Sequence, residues 1–366
     1  MISRAQAVWN LTSVGIDAAL RRLTAGPGRP GDIDWRGVCI AHLDTGIRDH
    51  PAFGGLHGGH SWVRLRDGIN FIEQGQPPIE PPHAESRRSG SRPLDFIADV
   101  SKKDIDGHGT RIASVMGGDW RGRSALTRVG LAPGLPLVPY RITDTVFLME
   151  KPVLQNLAEA IRHAVASNCP VINISLGWPM MDAPDVENAL DQAYDRGVLV
   201  IAAGGQVVDK VMYPAKFRRT IGVGGHRPNG QIWADYSEAQ YRFIDVWAPA
   251  SRIVRARPAR DAGQWTLDTL GGMGTSYATA HVSVAAALWL RFHGETALQA
   301  HYPEPWQRVE AFRTLLRTAS TPLIVPRAKV GKIKAGRLKI DKLLAAPLPP
   351  RDGLIRQSPL AGGAPD

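Results

Sequence analysis

The chain is poor in cysteine. Among 366 residues it has two, Cys39 and Cys169, too few for the disulfide framework of a small secreted scaffold. Both sit beside apolar, strand-like runs and read as small buried hydrophobes. Long hydrophobic runs are missing too, since no stretch approaches the roughly 20 apolar residues of a membrane span. The first 22 residues mix Arg, Gln, Asn and Asp with short apolar pieces, and no secretory signal core stands out. As given, the chain is expected in the cytoplasm, or outside the cell if a leader was removed. Internal repeats are absent. His50, His57 and His60 near Asp49 fit no zinc spacing and read as loop residues; no metal ligands are assigned.

The bulk composition, 43% hydrophobic and 21% charged, is ordinary for a globular protein. Net charge is +10. Arg327, Lys329, Lys332, Lys334, Arg337 and Lys339 cluster near the C-terminus, without a recognition motif or interleaved aromatics. That reads as a solvated basic face, and nucleic acid is not expected as a partner.

Three short stretches carry the chemistry: Asp44-Thr45-Gly46, Gly107-His108-Gly109-Thr110 and Gly274-Thr275-Ser276. They supply an acid, a base and a nucleophile, in that order. A Ser hydroxyl attacks poorly at neutral pH until an imidazole within hydrogen-bond reach takes its proton. A buried carboxylate fixes the imidazole tautomer and stabilises the imidazolium.

The flanks place these groups. Val38 to Leu43 reads as a buried parallel strand, so Asp44 falls at a strand's carboxyl end, where α/β sheets hold their sites. Thr110 to Met116 starts a helix after His108. Tyr277 to Leu290 reads as a helix opened by Ser276, its free N–H groups and positive dipole end at the nucleophile. Strand-like runs at 171–176, 198–203 and 221–223, with a helix over 186–195, predict an α/β fold: a mostly parallel sheet with helices on both faces. His42 is expected on the strand face opposite Asp44, and His281 packed within its helix.

These motifs resemble those of the subtilisin-like (subtilase) serine peptidases, from about Val38 to about Leu344. The Asp-His-Ser order is that of subtilisin. Gly274 to Val282 resembles the family's serine motif, with Tyr277 and Ala280 where members usually carry Met and Pro. Residues 172–177 and 213–217 match as well. The resemblance implies a three-layer subtilisin-like fold and a serine endopeptidase acting on polypeptides, with Asp44, His108 and Ser276 as its triad. It makes Ser175, Leu176 and Gly177 an edge that pairs with substrate backbone and lines the P1 pocket, joined by Ala203 and Gly204. The small residues there predict an open pocket for large apolar side chains, with Trp178 and Pro179 shaping a neighbouring subsite.

One departure stands out. The family usually ends an Ala-Ala-Gly-Asn segment with an Asn that donates to the oxyanion. Here the segment reads Ala202-Ala203-Gly204-Gly205-Gln206, so Gly205 holds that position without a side-chain donor. Losing one such donor costs about 10²–10³ in turnover. Three readings stay open: a slow enzyme using the Ser276 backbone N–H alone, Gln206 turned into the hole, or a weak or dead pseudopeptidase that binds peptide strands. Gly205→Asn is expected to raise turnover. No cofactor is expected to be required. The family's usual calcium-binding Asp aligns with Ala52, so that site is expected to be weakened.

Residues 1–37 are read as a segment packing on the core through Trp9 to Leu23. Residues 38–346 form one catalytic domain, because motifs spread from 44 to 276 must converge. A long irregular insertion spans about 54–105. Residues 347–366, rich in Pro, Gly and Ala, read as a disordered tail. With no full pro-domain in view, restraint of activity is expected from an inhibitory or activating protein partner, from the weak oxyanion hole, or from neither.

Overall fold

The computed structural model describes residues 4–24, 33–56, 61–79, 107–119, 128–179, 183–206, 209–257 and 266–360. In chain order the elements are α1 (Arg4–Ala7), α2 (Trp9–Ser13), α3 (Ile16–Leu23), β1 (Ile40–Asp44), β2 (Ile69–Asn70), α4 (His108–Gly117), β3 (Leu137–Arg141), α5 (Lys151–Ala166), β4 (Val171–Ile174), α6 (Pro184–Asp195) and β5 (Leu199–Ala203). Then come β6 (Ile221–His226), β7 (Val246–Pro249), β8 (Ile253–Arg257), β9 (Thr266–Gly272), α7 (Thr275–His293), α8 (Glu295–His301), α9 (Pro305–Thr318) and α10 (Ile340–Ala345).

Seven strands form one sheet in the order β2-β3-β1-β4-β5-β6-β7, and each adjacent pair is parallel. The apolar runs explain this, because a parallel sheet is covered on both faces and needs no polar alternation. Ile40, Val171, Leu199 and Ile201 pack with residues of α4 and α7. Ala41, Leu43, Ile172 and Val200 pack on the other face with residues of α5 and α6. Each such Val, Leu or Ile contributes roughly 1.5–3 kcal/mol when fully buried. β8 and β9 form a separate antiparallel pair.

Helix α7 runs behind the sheet, with Ala278, Val282, Ala285 and Leu288 fully buried. The N-terminal helices lie against this layer. Val14 O accepts from Ile340 N at 2.8 Å, and Asn10 Nδ2 donates to His281 Nε2 at 3.0 Å. His281 is therefore a packed helix residue. Among the described residues, no helix is long and apolar enough to cross a membrane.

Three expectations need correction. Side chains alternate along a strand with period two, so positions 42 and 44 share a face; His42 lies on the Asp44 side of β1. The stretch over 54–105 is not wholly irregular, because Ile69 and Asn70 add edge strand β2, paired with Tyr140 and Arg141; residues 80–106 lie outside the described ones. The tail over 347–360 is docked, not disordered. Leu360 is buried with its N–H on Asp191 Oδ1 at 3.0 Å, Arg218 donates to Pro359 O at 2.8 Å, and Gln357 N donates to Tyr194 Oη at 3.0 Å. Composition alone does not reveal such hydrogen bonds to a folded surface.

Candidate active site

Asp44 ends β1 and is fully buried. His108 is the first residue of α4, after Gly107 in the left-handed region (φ 75°). His108 Nδ1–H donates to Asp44 Oδ1 at 2.7 Å, which leaves Nε2 as the basic nitrogen. Thr45 ties the two motifs together: its N–H donates to Asp44 Oδ1 at 2.8 Å, and its Oγ1 accepts from Gly109 N at 3.0 Å. Glycine at 109 permits this approach, because a Cβ there would lie 2.0 Å from Gly46 O. Burial works against the Asp44 carboxylate, yet the charge and hydrogen bond of His108 outweigh it and hold the carboxyl below its usual value.

Ser276 stands in the first turn of α7, and its own N–H has no hydrogen-bond partner among the described residues. Its Oγ–H donates to Ser175 O at 2.8 Å rather than to His108. Ser175, Leu176, Gly177, Ala203, Gly205 and Gln206 gather around Ser276 and line one cavity with Val146, Phe147, Met212 and Thr275. Gly204 is not among them. It packs beneath, where a Cβ would meet Tyr236 Oη at 2.6 Å.

The cavity corrects the expectation of an open pocket. Its volume is about 50 Å³, whereas a dry cavity of roughly 150 Å³ takes a benzene ring. Met212 fills the space that the small residues leave. A Cβ on Gly177 would lie 3.1 Å from Met212 Cβ, and one on Gly205 would lie 2.3 Å from Met212 Cγ. Met212 is anchored, its N–H donating to Gly204 O at 2.9 Å. Nothing around Met212 in the sequence marks this role, since the contact joins segments that meet only in the fold. A larger cavity of about 500 Å³, lined by Leu148, Leu154, Trp178 and Pro179, opens separately.

The Gly177 edge is also occupied. Its N–H donates to Val146 O at 3.3 Å, and its carbonyl accepts from Leu148 N at 3.1 Å. The backbone groups expected to meet substrate are thus paired with residues 146–148.

Gln206 is clamped through its carbonyl. Thr275 N and Thr275 Oγ1 donate to Gln206 Oε1 at 3.0 and 3.1 Å, and Gly205 N donates to Thr275 Oγ1 at 3.1 Å. A helix N-terminus offers only donors, which fixes the amide with Nε2 turned away. A Cβ on Gly274 would stand 3.5 Å from that Nε2 and 3.8 Å from Ser276 N. The amide group therefore lies beside the nucleophile's backbone.

Ala52, where the family resemblance places a calcium carboxylate, is fully buried. Beside it, His50 Nδ1 accepts from Ala52 N, and Asp49 Oδ1 accepts from Leu56 N. This donor set does not fit that cation. His57 and His60 lie outside the described residues. In the basic cluster, Lys329 pairs with Asp235 and Lys332 with Glu238.

An acid–base pair at the carboxyl edge of a parallel sheet, with a serine in a helix's first turn, defines a class of α/β hydrolytic site. The chain belongs to the subtilase family, whose model matches residues 35–339. Subtilisin BL of Lederbergia lenta is 29% identical over 282 residues, 76% of this chain and 82% of that protein. The major intracellular serine protease of Bacillus subtilis (strain 168) is 29% identical over 235 residues, 62% of this chain and 67% of that one. In fold the chain is similar to MycP1 with its N-terminal propeptide removed (TM-score 0.61, 19% identity, covering 93% of this chain and 98% of that one). It is likewise similar to the prenylagaramide maturation protease PagA (TM-score 0.58, 24% identity, 90% and 97%). The protein is a subtilisin-like serine endopeptidase acting on polypeptides.

Proposed function

We propose that Ser276, His108 and Asp44 form the working triad, with Gln206 replacing the family's Asn as the oxyanion donor. Ser276 Oγ leaves Ser175 O, gives its proton to His108 Nε2 and attacks the scissile carbonyl, forming a tetrahedral intermediate. His108 then protonates the leaving amine, and the acyl-enzyme is hydrolysed by the same steps with water as nucleophile. Asp44 holds the imidazole by its Nδ1–H. The oxyanion sits between the Ser276 N–H and Gln206 Nε2–H. The clamp of Thr275 on Gln206 Oε1 carries this reading, because it holds the amide next to the Ser276 backbone and limits the reorganisation its N–H groups need to reach an oxyanion there.

The substrate strand pairs with Gly177 by displacing residues 146–148. Met212, anchored on a different segment, stays and limits P1 to small residues such as Gly, Ala or Ser. The direct test is labelling by a fluorophosphonate probe, which phosphonylates an activated serine. Wild type is expected to label and Ser276→Ala is not. A folded wild type that stays unlabelled would favour the peptide-binding pseudopeptidase.

A further inference from the structure

A buried polar chain behind these residues is left unused by that reading. His42 is fully buried on β1, and its Nε2 lies 3.0 Å from Gly109 O. A carbonyl only accepts, so Nε2 carries the proton and Nδ1 is a bare acceptor. Asn173 Nδ2 donates to that Nδ1 at 3.2 Å and to Ser175 Oγ at 3.1 Å. Ser283 Oγ–H donates to Asn173 Oδ1 at 3.0 Å, which fixes the amide's orientation. Ser175 Oγ–H donates to Ser276 O at 3.1 Å. Each proton in the chain has one direction, set by the carbonyl of Gly109 at one end and that of Ser276 at the other.

We propose that His42 is a positioning residue that fixes the helix start bearing His108 relative to the backbone of Ser276. The bridge runs from Gly109 through His42, Asn173 and Ser175 to Ser276, and the inference rests on the triad reading. An apolar residue at 42 would leave an Asn173 N–H buried without a partner and strip the Gly109 carbonyl of its bond outside the helix, a cost usually avoided. It would also free the two halves of the site to shift. The bridge works only with a neutral ring, because an imidazolium would point Nδ1–H at the Asn173 amide donors. Burial and the charge of His108 favour that neutral form over the opposing attraction of Asp44.

The test labels the full chain with a fluorophosphonate over a range of probe concentrations, alongside thermal melting. His42→Leu fills the space without polar groups. His42→Asn keeps an amide near the Nδ1 position to serve Asn173. His42→Leu is expected to lower the maximal labelling rate about tenfold with the half-saturating concentration unchanged, the signature of a sub-ångström misplacement. His42→Asn is expected to recover most of that loss. A folded His42→Leu protein that labels at the wild-type maximal rate overturns the assignment, as do Leu and Asn variants that lose rate equally. Should His42→Leu fail to fold, Ser283→Ala, which removes the outer support of Asn173, carries the test. It is expected to label about threefold more slowly, and an unchanged rate overturns the inference. An unlabelled, folded wild type removes the triad reading and this inference with it, whereas labelled wild type with fast variants removes the inference alone.

Discussion

The two sides of Ser276 are built differently. On the proton-transfer side, Asp44 and His108 meet within two short glycine-flanked motifs, and Thr45 bonds to both. On the other side, the cavity draws on residues 146–147, 175–177, 203, 205–206, 212 and 275–276. The first side is a fixed unit of charge and hydrogen bonding centred on Asp44 Oδ1. The second is assembled from side chains of separate segments: Gln206, held by Thr275, and Met212, which lies against Gly177 and Gly205. A proton relay requires particular atoms at hydrogen-bond distance, whereas a pocket requires only volume and a donor.

The largest effect is expected at Asp44. Asp44→Asn keeps the shape but favours the wrong imidazole tautomer, and turnover of a peptide ester is expected to fall about 10⁴-fold. On the other side, Gln206→Ala is expected to cost about 10²–10³ in kcat with little change in KM, the usual worth of one oxyanion donor. A smaller loss would mean that the Ser276 N–H suffices.

Met212→Gly is expected to move P1 preference from Ala toward Leu or Phe by about 10–200-fold in kcat/KM, since each added methylene in a pocket counts for 1–3 kcal/mol. The same residue revises the expectation for Gly205→Asn. Gly205 has φ 85°, which Asn tolerates better than most residues, but its Cβ would collide with Met212 Cγ at 2.3 Å. Alone, Gly205→Asn is expected to lower turnover; combined with Met212→Gly, it is expected to raise turnover above that of Met212→Gly. Steady-state kinetics on the four proteins decide this.

The smallest effect lies outside the cleft. Burial pushes His226 and His281 down to about 4. Both are neutral when folded, and the unfolded chain binds more protons below about 6.5. Their stabilisation is thus complete above about pH 6.5 and fades as pH falls toward 4. Melting temperature is expected to drop over that window, and His281→Gln to flatten the slope.

The sheet was legible in the chain's apolar runs, because they leave no exposed face. So was the acid–base pair, because each motif carries both the reactive group and the glycines that let it be approached. Val171 to Ile174 and Leu199 to Ala203 were legible as strands for the first reason. Asp44 and His108 were legible for the second, and their 2.7 Å contact is what such motifs require. Placing His42 on the strand face opposite Asp44 misapplies the period of two, and its partners Gly109 and Asn173 come from elsewhere in the chain. Contacts in the fold, and not the sequence, show that Met212 lies against Gly177 and Gly205, that Thr275 holds Gln206 by its carbonyl, that residues 146–148 pair with Gly177, and that the Pro-rich tail docks against Arg218 and Tyr194. Each of these is a contact between segments remote in sequence, selected by volume and an available hydrogen bond, and neither composition nor periodicity encodes which segments will meet.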